Sequence, residues 1–80
     1  MRLDKFLKVS RIIKRRTVAN DACDAGHVKV NGNKSKASYV VKEGDILEIA
    51  FGQKVIRARI VSIKEHVRRE ETSEMYEIIE

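Results

Sequence analysis

Apolar residues near the start of the chain recur at helical spacing. The first group, which shares one helical face, is Leu3, Phe6 and Leu7. Ser10 is a break or cap after this short helix. A second helix is predicted over residues 16–25, and Gly26 supplies the left-handed residue that commonly follows a helix. Its apolar arc is made mostly of small residues: Val18, Ala19, Ala22, Cys23 and Ala25. The pattern therefore predicts two short amphipathic helices.

The next stretch alternates apolar and polar residues with the period of two that is typical of β-strands. Residues 27–31 place Val28 and Val30 on one face, and the Asn-Gly pair that closes this run signals a tight turn. Residues 34–36 follow as a basic loop, and the Gly-Asp pair at 44–45 indicates another turn. A half-buried strand followed by turns is the expectation here.

A predicted hairpin occupies the centre of the second half. The first strand covers residues 46–51, and its apolar face consists of Leu47, Ile49 and Phe51. The Gly-Gln pair after it suits a two-residue hairpin, and the partner strand covers residues 54–63. Val61 and Ile63 fall on the face opposite to Ile56, Ala58 and Ile60. A bulge, or burial of that end on both faces, would explain this change.

The tail completes the predicted architecture. Residues 68–74 are polar and compatible with a helical turn, and residues 75–79 predict a closing strand. The chain of 80 residues is small for one domain, so we expect a single domain over residues 1–80. The predicted fold class is α+β, with two short N-terminal helices packed on a small, mainly antiparallel sheet.

Charge is distributed unevenly along the chain. Residues 1–36 hold ten Lys and Arg against three Asp, and residues 37–80 hold seven against nine acidic residues. The balances of +7 and −2 indicate one surface that faces a polyanion. Seven cationic side chains precede position 17, with only Asp4 among them: Arg2, Lys5, Lys8, Arg11, Lys14, Arg15 and Arg16. Most charge runs are solvated faces, but the scarcity of local acidic partners favours a binding surface.

The aromatic content narrows the choice of polyanion. Phe6, Tyr39, Phe51 and Tyr76 are the only aromatic residues, and two of them fit a core better than a surface. A clustered platform for stacking unpaired bases is therefore not expected, which favours structured RNA recognised through phosphates and shape. Duplex DNA is less favoured, because no helix has the Asn, Gln and Arg pattern of base-edge reading.

The sequence gives little support for a catalytic site or a metal-binding site. Cys23 and His27 lie four positions apart, but Gly26 separates them and no second ligand pair is evident. Cys23 is expected to be a buried structural residue, and His66 is expected to be exposed. We predict no enzyme activity, no cofactor and no metal. The lone cysteine and the absence of a long apolar run or secretory signal favour the cytoplasm over membrane or export.

The motifs together resemble the S4 RNA-binding domain family. They are the basic run RLDKFLKVSRIIKRR, then GHVKVNG, then VKEGD, in the order that the family shows. The resemblance implies an S4-like (αL-type) fold with a core motif over residues 2–51, followed by a hairpin and C-terminal segment over residues 52–80. The opening MRLDKFL with FGQK and MYEII is similar to stand-alone members of ribosome-associated quality control, related to the 15-kDa heat-shock ribosome-binding protein.

This resemblance implies a function and partners. A member of this kind binds rRNA and peptidyl-tRNA on obstructed large ribosomal subunits. It helps a tRNA-recruiting partner protein to add alanine tails to the stalled chain. We expect this protein to be a monomer. Three alternatives stay open: a general large-subunit recycling or heat-shock factor, a protein-interaction adaptor with incidental RNA binding, and an appendage of a separate enzyme.

The resemblance also assigns residues to the RNA-facing motif. They are Arg2, Lys5, Arg11, Lys14 and Arg16, with Asp4 as an orienting partner. Lys8, Arg15, Lys34 and Lys36 complete the predicted RNA-binding set by their position and charge. Many family members have Ser or Thr before the arginine that opens the second helix, which is a natural N-cap. This chain has Arg15 there, so either Arg15 or Arg16 could make the principal contact.

Overall fold

A computed structural model describes residues 1–79 of the chain and shows two helices on one antiparallel sheet. The elements are α1 (Leu3–Val9), α2 (Arg16–Asp24), β1 (Val28–Val30), β2 (Asn33–Lys34), β3 (Ile46–Phe51), β4 (Lys54–Ile60), a 3-10 helix (Arg69–Glu74) and β5 (Tyr76–Ile79). The sheet order is β2-β1-β3-β4-β5, and all neighbouring strands are antiparallel. The predicted α+β class is confirmed.

Both helices end where the sequence predicted. Ser10 caps α1: its backbone N–H donates to the carbonyl of Phe6 at 2.9 Å, and its hydroxyl donates to the carbonyl of Leu7 at 3.3 Å. Gly26 follows α2 with a φ of +84°, a conformation that glycine adopts without steric cost. The start of α1 is held by the 37–41 segment, because the N–H of Leu3 donates to the carbonyl of Tyr39 at 2.7 Å.

The turn after β1 makes a hairpin that the sequence predicted only in part. Asn31 and Gly32 have φ angles of 52° and 85°, the positive values that a tight two-residue turn of this kind requires. The chain therefore reverses at once, and Asn33 and Lys34 pair with β1 as the short strand β2. The expectation that Lys34 lies in a loop is wrong, because the turn places it beside Lys29.

The β3–β4 hairpin follows the prediction with two differences at its ends. Phe51 pairs with Lys54 across the two-residue turn, but 40% of Phe51 is exposed, because it lies at the tip of the hairpin. Strand β4 stops at Ile60, three residues earlier than predicted. Beyond it, the N–H groups of Val61 and Ser62 both donate to the carbonyl of Met75, at 2.8 and 3.2 Å. Two residues thus oppose one, as in a β-bulge.

The core lies between α1, α2 and one face of the sheet. Its fully buried large side chains include Leu3, Phe6, Leu7, Val28, Leu47, Ile49, Ile60 and Met75. Each such side chain contributes about 1.5–3 kcal/mol of hydrophobic stabilisation. Helix α2 packs through Ala19 and Cys23, whereas Val18 is half exposed, so the apolar arc that the sequence predicted is narrower in the structure. This packing leaves the polar face of α1 and the start of α2 at the surface.

Candidate nucleic-acid interface

Helix α1 presents its cationic residues because its apolar residues are anchored in the core. Leu3, Phe6 and Leu7 are fully buried, so the opposite face of the helix points away from the sheet. Arg2 and Lys8 are exposed, and Lys5 is partly buried. The helix therefore fixes the spacing of these cations on one surface.

Asp4 lies at the centre of a cluster that joins α1 to α2. Its side chain is 3% exposed and accepts two hydrogen bonds from the Arg2 guanidinium, at 3.2 and 3.3 Å. The side-chain amide of Asn20 donates at 3.2 Å, and the backbone N–H of Lys5 donates at 2.8 Å. The Nε atom of Arg16 lies 3.5 Å from an Asp4 carboxylate oxygen. One carboxylate thus binds two arginines that are fourteen positions apart.

The environment keeps Asp4 charged. Burial alone would raise the pKa of its carboxyl, but the hydrogen bonds from Asn20 and Lys5 and the charges of Arg16 and Arg2 lower it further than burial raises it. The net pKa of Asp4 is therefore below its ordinary value. About half of each arginine side chain, 49% for Arg2 and 48% for Arg16, stays exposed. A guanidinium has five N–H donors, so both arginines can bind Asp4 and still offer donors to a phosphate.

The connection between the helices carries the next three predicted cations, Arg11, Lys14 and Arg15, all exposed. Buried Ile13 anchors this connection, and its backbone N–H donates to the carbonyl of Leu7 at 3.0 Å. Arg11 has a φ of 64°, a left-handed conformation that is uncommon for residues other than glycine. Arg15 is the N-cap of α2, and its side chain makes no capping hydrogen bond.

A cavity of about 370 Å³ opens beside this connection. It is lined by Lys8, Val9, Arg11, Lys14, Glu65, His66 and Val67. Glu65 forms an ion pair with Lys5, whose hydrogen bond and charge lower the pKa of the Glu65 carboxyl. His66 is exposed, as the sequence predicted, but it also faces three cations of the predicted set.

Lys34 and Lys36 lie apart from these groups, at the other end of α2. The side-chain carbons of Lys34 run past Gly26, where an added Cβ would meet them at 3.4 Å. Lys36 is exposed and precedes Ala37, whose backbone N–H donates to the Asp24 carboxylate at 3.2 Å. Asp24 therefore anchors the chain after β2 to α2.

Seven of the nine predicted cations form three groups, while Lys5 pairs with Glu65 and Arg15 is the N-cap of α2. Arg2 and Arg16 meet at Asp4; Lys8, Arg11 and Lys14 meet at the cavity; Lys34 and Lys36 lie near the end of α2. Sequence reasoning missed Asn20, Glu65 and His66. Asn20 follows Arg16 by one helical turn, a spacing that could have indicated its place beside Asp4. No local signal indicated that Glu65 would contact a residue sixty positions away.

Cys23 is packed in the core, as predicted, with 3% of its surface exposed. Burial, followed by the charges of Asp4 and Asp24, raises the pKa of its thiol to about 11. Such a thiol is a poor nucleophile and a poor metal ligand at neutral pH. Within residues 1–79, no cluster of three or more His, Cys, Asp or Glu side chains is placed to hold a metal ion. No helix in the same range is long and apolar enough to cross a bilayer.

The chain is similar to known proteins over nearly its whole length. The S4 domain family model matches residues 1–47. The chain is 60% identical to the "RQC P-site tRNA stabilizing factor" of Halalkalibacterium halodurans over 98% of its own length and 89% of that protein. The identity to the Bacillus subtilis protein of the same name is 51%, covering 99% of this chain and 92% of that one.

Two solved structures have a fold similar to that of this chain. The trimeric structure of heat shock protein 15 from Vibrio cholerae has a TM-score of 0.91 at 29% identity, covering 99% of this chain and 81% of that one. The solution structure of the hypothetical protein HP1423 has a TM-score of 0.84 at 34% identity, covering 100% of this chain and 98% of that one. The predicted S4-like architecture is therefore confirmed.

Proposed function

This chain belongs to the S4 domain family, and from that premise we propose that it is a ribosome-associated RNA-binding protein. It binds rRNA and tRNA on large ribosomal subunits obstructed by peptidyl-tRNA. There it supports C-terminal alanine tailing of the stalled chain by a tRNA-recruiting partner protein. Its action is non-enzymatic and takes place in the cytoplasm. The names of the relatives, which refer to stabilising P-site tRNA, support the tRNA part of this proposal.

The observation that carries the proposal is the Asp4 cluster. Two long arginine side chains would ordinarily lose conformational freedom when they bind a phosphate. Here the buried carboxylate of Asp4 already restrains Arg2 and Arg16 on one surface, with half of each side chain exposed. Preorganised guanidinium donors favour phosphate groups, which match their planar geometry. The cluster therefore supports recognition of an RNA backbone.

The test is gradient sedimentation of a tagged copy from cells with stalled translation. We expect the protein to peak with free large subunits that carry peptidyl-tRNA. Arg2→Gln and Arg16→Gln should each move it toward the top of the gradient. Lys54→Gln, which removes an exposed cation at the tip of the β3–β4 hairpin, should leave the peak unchanged. A peak with intact ribosomes, or equal loss from all three variants, would contradict the proposal.

The alternatives have separate outcomes. A protein-interaction adaptor would keep its partners after nuclease treatment of the lysate, whereas a ribosome-bound factor would be released. A general recycling or heat-shock factor would bind large subunits with no effect on alanine tails. The chain is 34% identical to the heat shock protein 15 homolog of Aeromonas salmonicida, covering 81% of this chain and 49% of that protein. The monomeric state also stays a prediction, and sedimentation equilibrium can test it against the trimer described for the Vibrio cholerae protein.

A further inference from the structure

The cavity beside the α1–α2 connection is built from two segments that are distant in sequence. One wall comes from α1 and the residues after it, and the other from residues 65–67 between β4 and the 3-10 helix. Its volume of about 370 Å³ lies at the lower end of the range for ligand pockets. The cavity shares no lining residue with the Asp4 cluster, which borders a separate depression.

Positive charge in this cavity is not balanced by any acidic side chain in the part of the chain that the structure describes. Lys8, Arg11 and Lys14 make no ion pair with any residue in the range 1–79. The one acidic side chain in the lining, Glu65, is bound to Lys5. Three cations that converge without a counterion repel one another, and an anionic ligand would relieve this repulsion. The left-handed backbone of Arg11 is a further sign, because uncommon conformations of this kind are concentrated at functional sites.

His66 supplies a different kind of donor to the same place. An imidazole can donate an N–H to an anion in either protonation state. The ion pair between Lys5 and the adjacent Glu65 holds this segment against α1, so His66 is positioned over the cavity from the C-terminal half of the chain. Three cations with one shorter, directional donor fit a phosphate better than a carboxylate, because a phosphate has more acceptor oxygens.

We propose that this cavity is a second phosphate-binding site for the RNA backbone, formed by Lys8, Arg11, Lys14 and His66. The proposal rests on the RNA-binding function proposed above and joins three cations of the N-terminal motif to His66, which lies outside that motif. Phosphates repeat along an RNA strand, so a second site apart from the Asp4 cluster fixes the orientation of the protein on its partner.

The test measures binding of purified large ribosomal subunits by His66→Gln, Lys14→Gln and Arg16→Gln. We expect His66→Gln to weaken binding about ten- to hundredfold, as the loss of one hydrogen bond to a charged group implies. His27→Gln is the matched control, since His27 is exposed and lies outside the cavity. Urea unfolding of each variant excludes loss of the fold as the cause.

Double variants separate the two sites. His66→Gln with Lys14→Gln should weaken binding less than the sum of the single effects, because both residues bind one phosphate. His66→Gln with Arg16→Gln should be additive. If His66→Gln and Lys14→Gln bind like the unmodified protein while Arg16→Gln does not, the second site is wrong and the proposed function stands. If the unmodified protein fails to bind large subunits, both proposals fall.

A second measurement uses inorganic phosphate alone. Its titration should shift the side-chain NMR signals of His66 and leave those of His27 in place. Equal shifts at both histidines would show general charge screening and would overturn the assignment of a built site.

Discussion

The side-chain amide of Asn31 donates a hydrogen bond of 3.0 Å to the carboxylate of Asp45. The amide oxygen of Asn31 in turn accepts the backbone N–H of Ile46 at 2.9 Å. Asp45 also accepts the N–H of Lys42 at 2.9 Å and the hydroxyl of Tyr39 at 3.4 Å. These bonds join the turn after β1 to the turn before β3. The two turn motifs that the sequence indicated separately are therefore one structural unit.

Removal of the Asp45 carboxylate should destabilise this unit. In Asp45→Ala, the Asn31 amide, the Lys42 N–H and the Tyr39 hydroxyl lose their partly buried acceptor. We expect the free energy of unfolding in urea to fall by about 2 kcal/mol, since unpaired buried donors cost roughly 1–3 kcal/mol. Glu43→Ala, two residues away and exposed, should change it by less than about 0.5 kcal/mol. Equal effects would contradict a role for the Asp45 bonds.

The sequence predicted these turns because their causes are local. An Asn-Gly pair permits two positive φ angles, and no distant residue is needed to explain the hairpin that follows. The hydrogen bond from Asn31 to Asp45 joins residues fourteen positions apart, so no periodicity could indicate it. Dependence on distant parts of the chain also explains why the exposure of Phe51 was not predicted. Its strand face was predicted correctly, but its exposure depends on how far the packed elements extend over the sheet.

The candidate site was predictable as a set of charges but not as three groups. The run of cations before position 17 predicted that Arg2, Lys5 and Lys8 belong to one surface that faces a polyanion. Whether a cation is held by an acid depends on tertiary contacts, and these distinguish Arg16, which lies beside Asp4, from Lys14, which lies at the cavity. The ion pair between Lys5 and Glu65 spans sixty positions and follows from the fold of the C-terminal half. The RNA-binding roles of these residues stay predictions.

Stability should depend on pH through Asp4. Its pKa is lowered in the folded protein, although burial opposes the hydrogen bonds and the arginine charges that lower it. A carboxyl with a lower pKa in the folded state contributes stability that is complete above its unfolded pKa, at about pH 4, and is lost as pH falls through the folded value. The difference in unfolding free energy between the unmodified protein and Asp4→Asn should therefore be constant near neutral pH and shrink below about pH 4. A difference that stays constant into strong acid would contradict this assignment.

Glu65 should weaken RNA binding, because its charge occupies Lys5 and opposes a phosphate in the adjacent cavity. In Glu65→Gln, Lys5 becomes available to RNA and one negative charge is lost from the lining. We expect tighter binding of large subunits and a salt dependence of log affinity that is steeper by about one, as one more phosphate contact implies. The unfolding free energy should change little, since exposed ion pairs contribute little to stability.

Glu70→Gln is the matched control for this change, because Glu70 is exposed on the 3-10 helix and lines no part of the cavity. It should leave both affinity and salt slope as they are. Weaker binding by Glu65→Gln would mean that the tether between Lys5 and Glu65 matters more for RNA than the negative charge does.

Substitution of the N-cap residue of α2 should stabilise the protein. Arg15 has the extended φ and ψ of an N-cap, −118° and 133°, but its side chain makes no capping hydrogen bond, and its charge lies at the positive end of the helix. In Arg15→Thr, the hydroxyl can accept a free N–H of the first turn, which should raise the unfolding free energy by about 1 kcal/mol. Arg15→Gln removes the same charge without restoring a good cap. The difference in unfolding free energy between the two variants therefore measures the contribution of the capping hydrogen bond. Equal stability of the Thr and Gln variants would contradict a contribution from the capping hydrogen bond.

Because Asp4 holds Arg16 and no described acid holds Arg15, both variants should lose less affinity for large subunits than Arg16→Gln does.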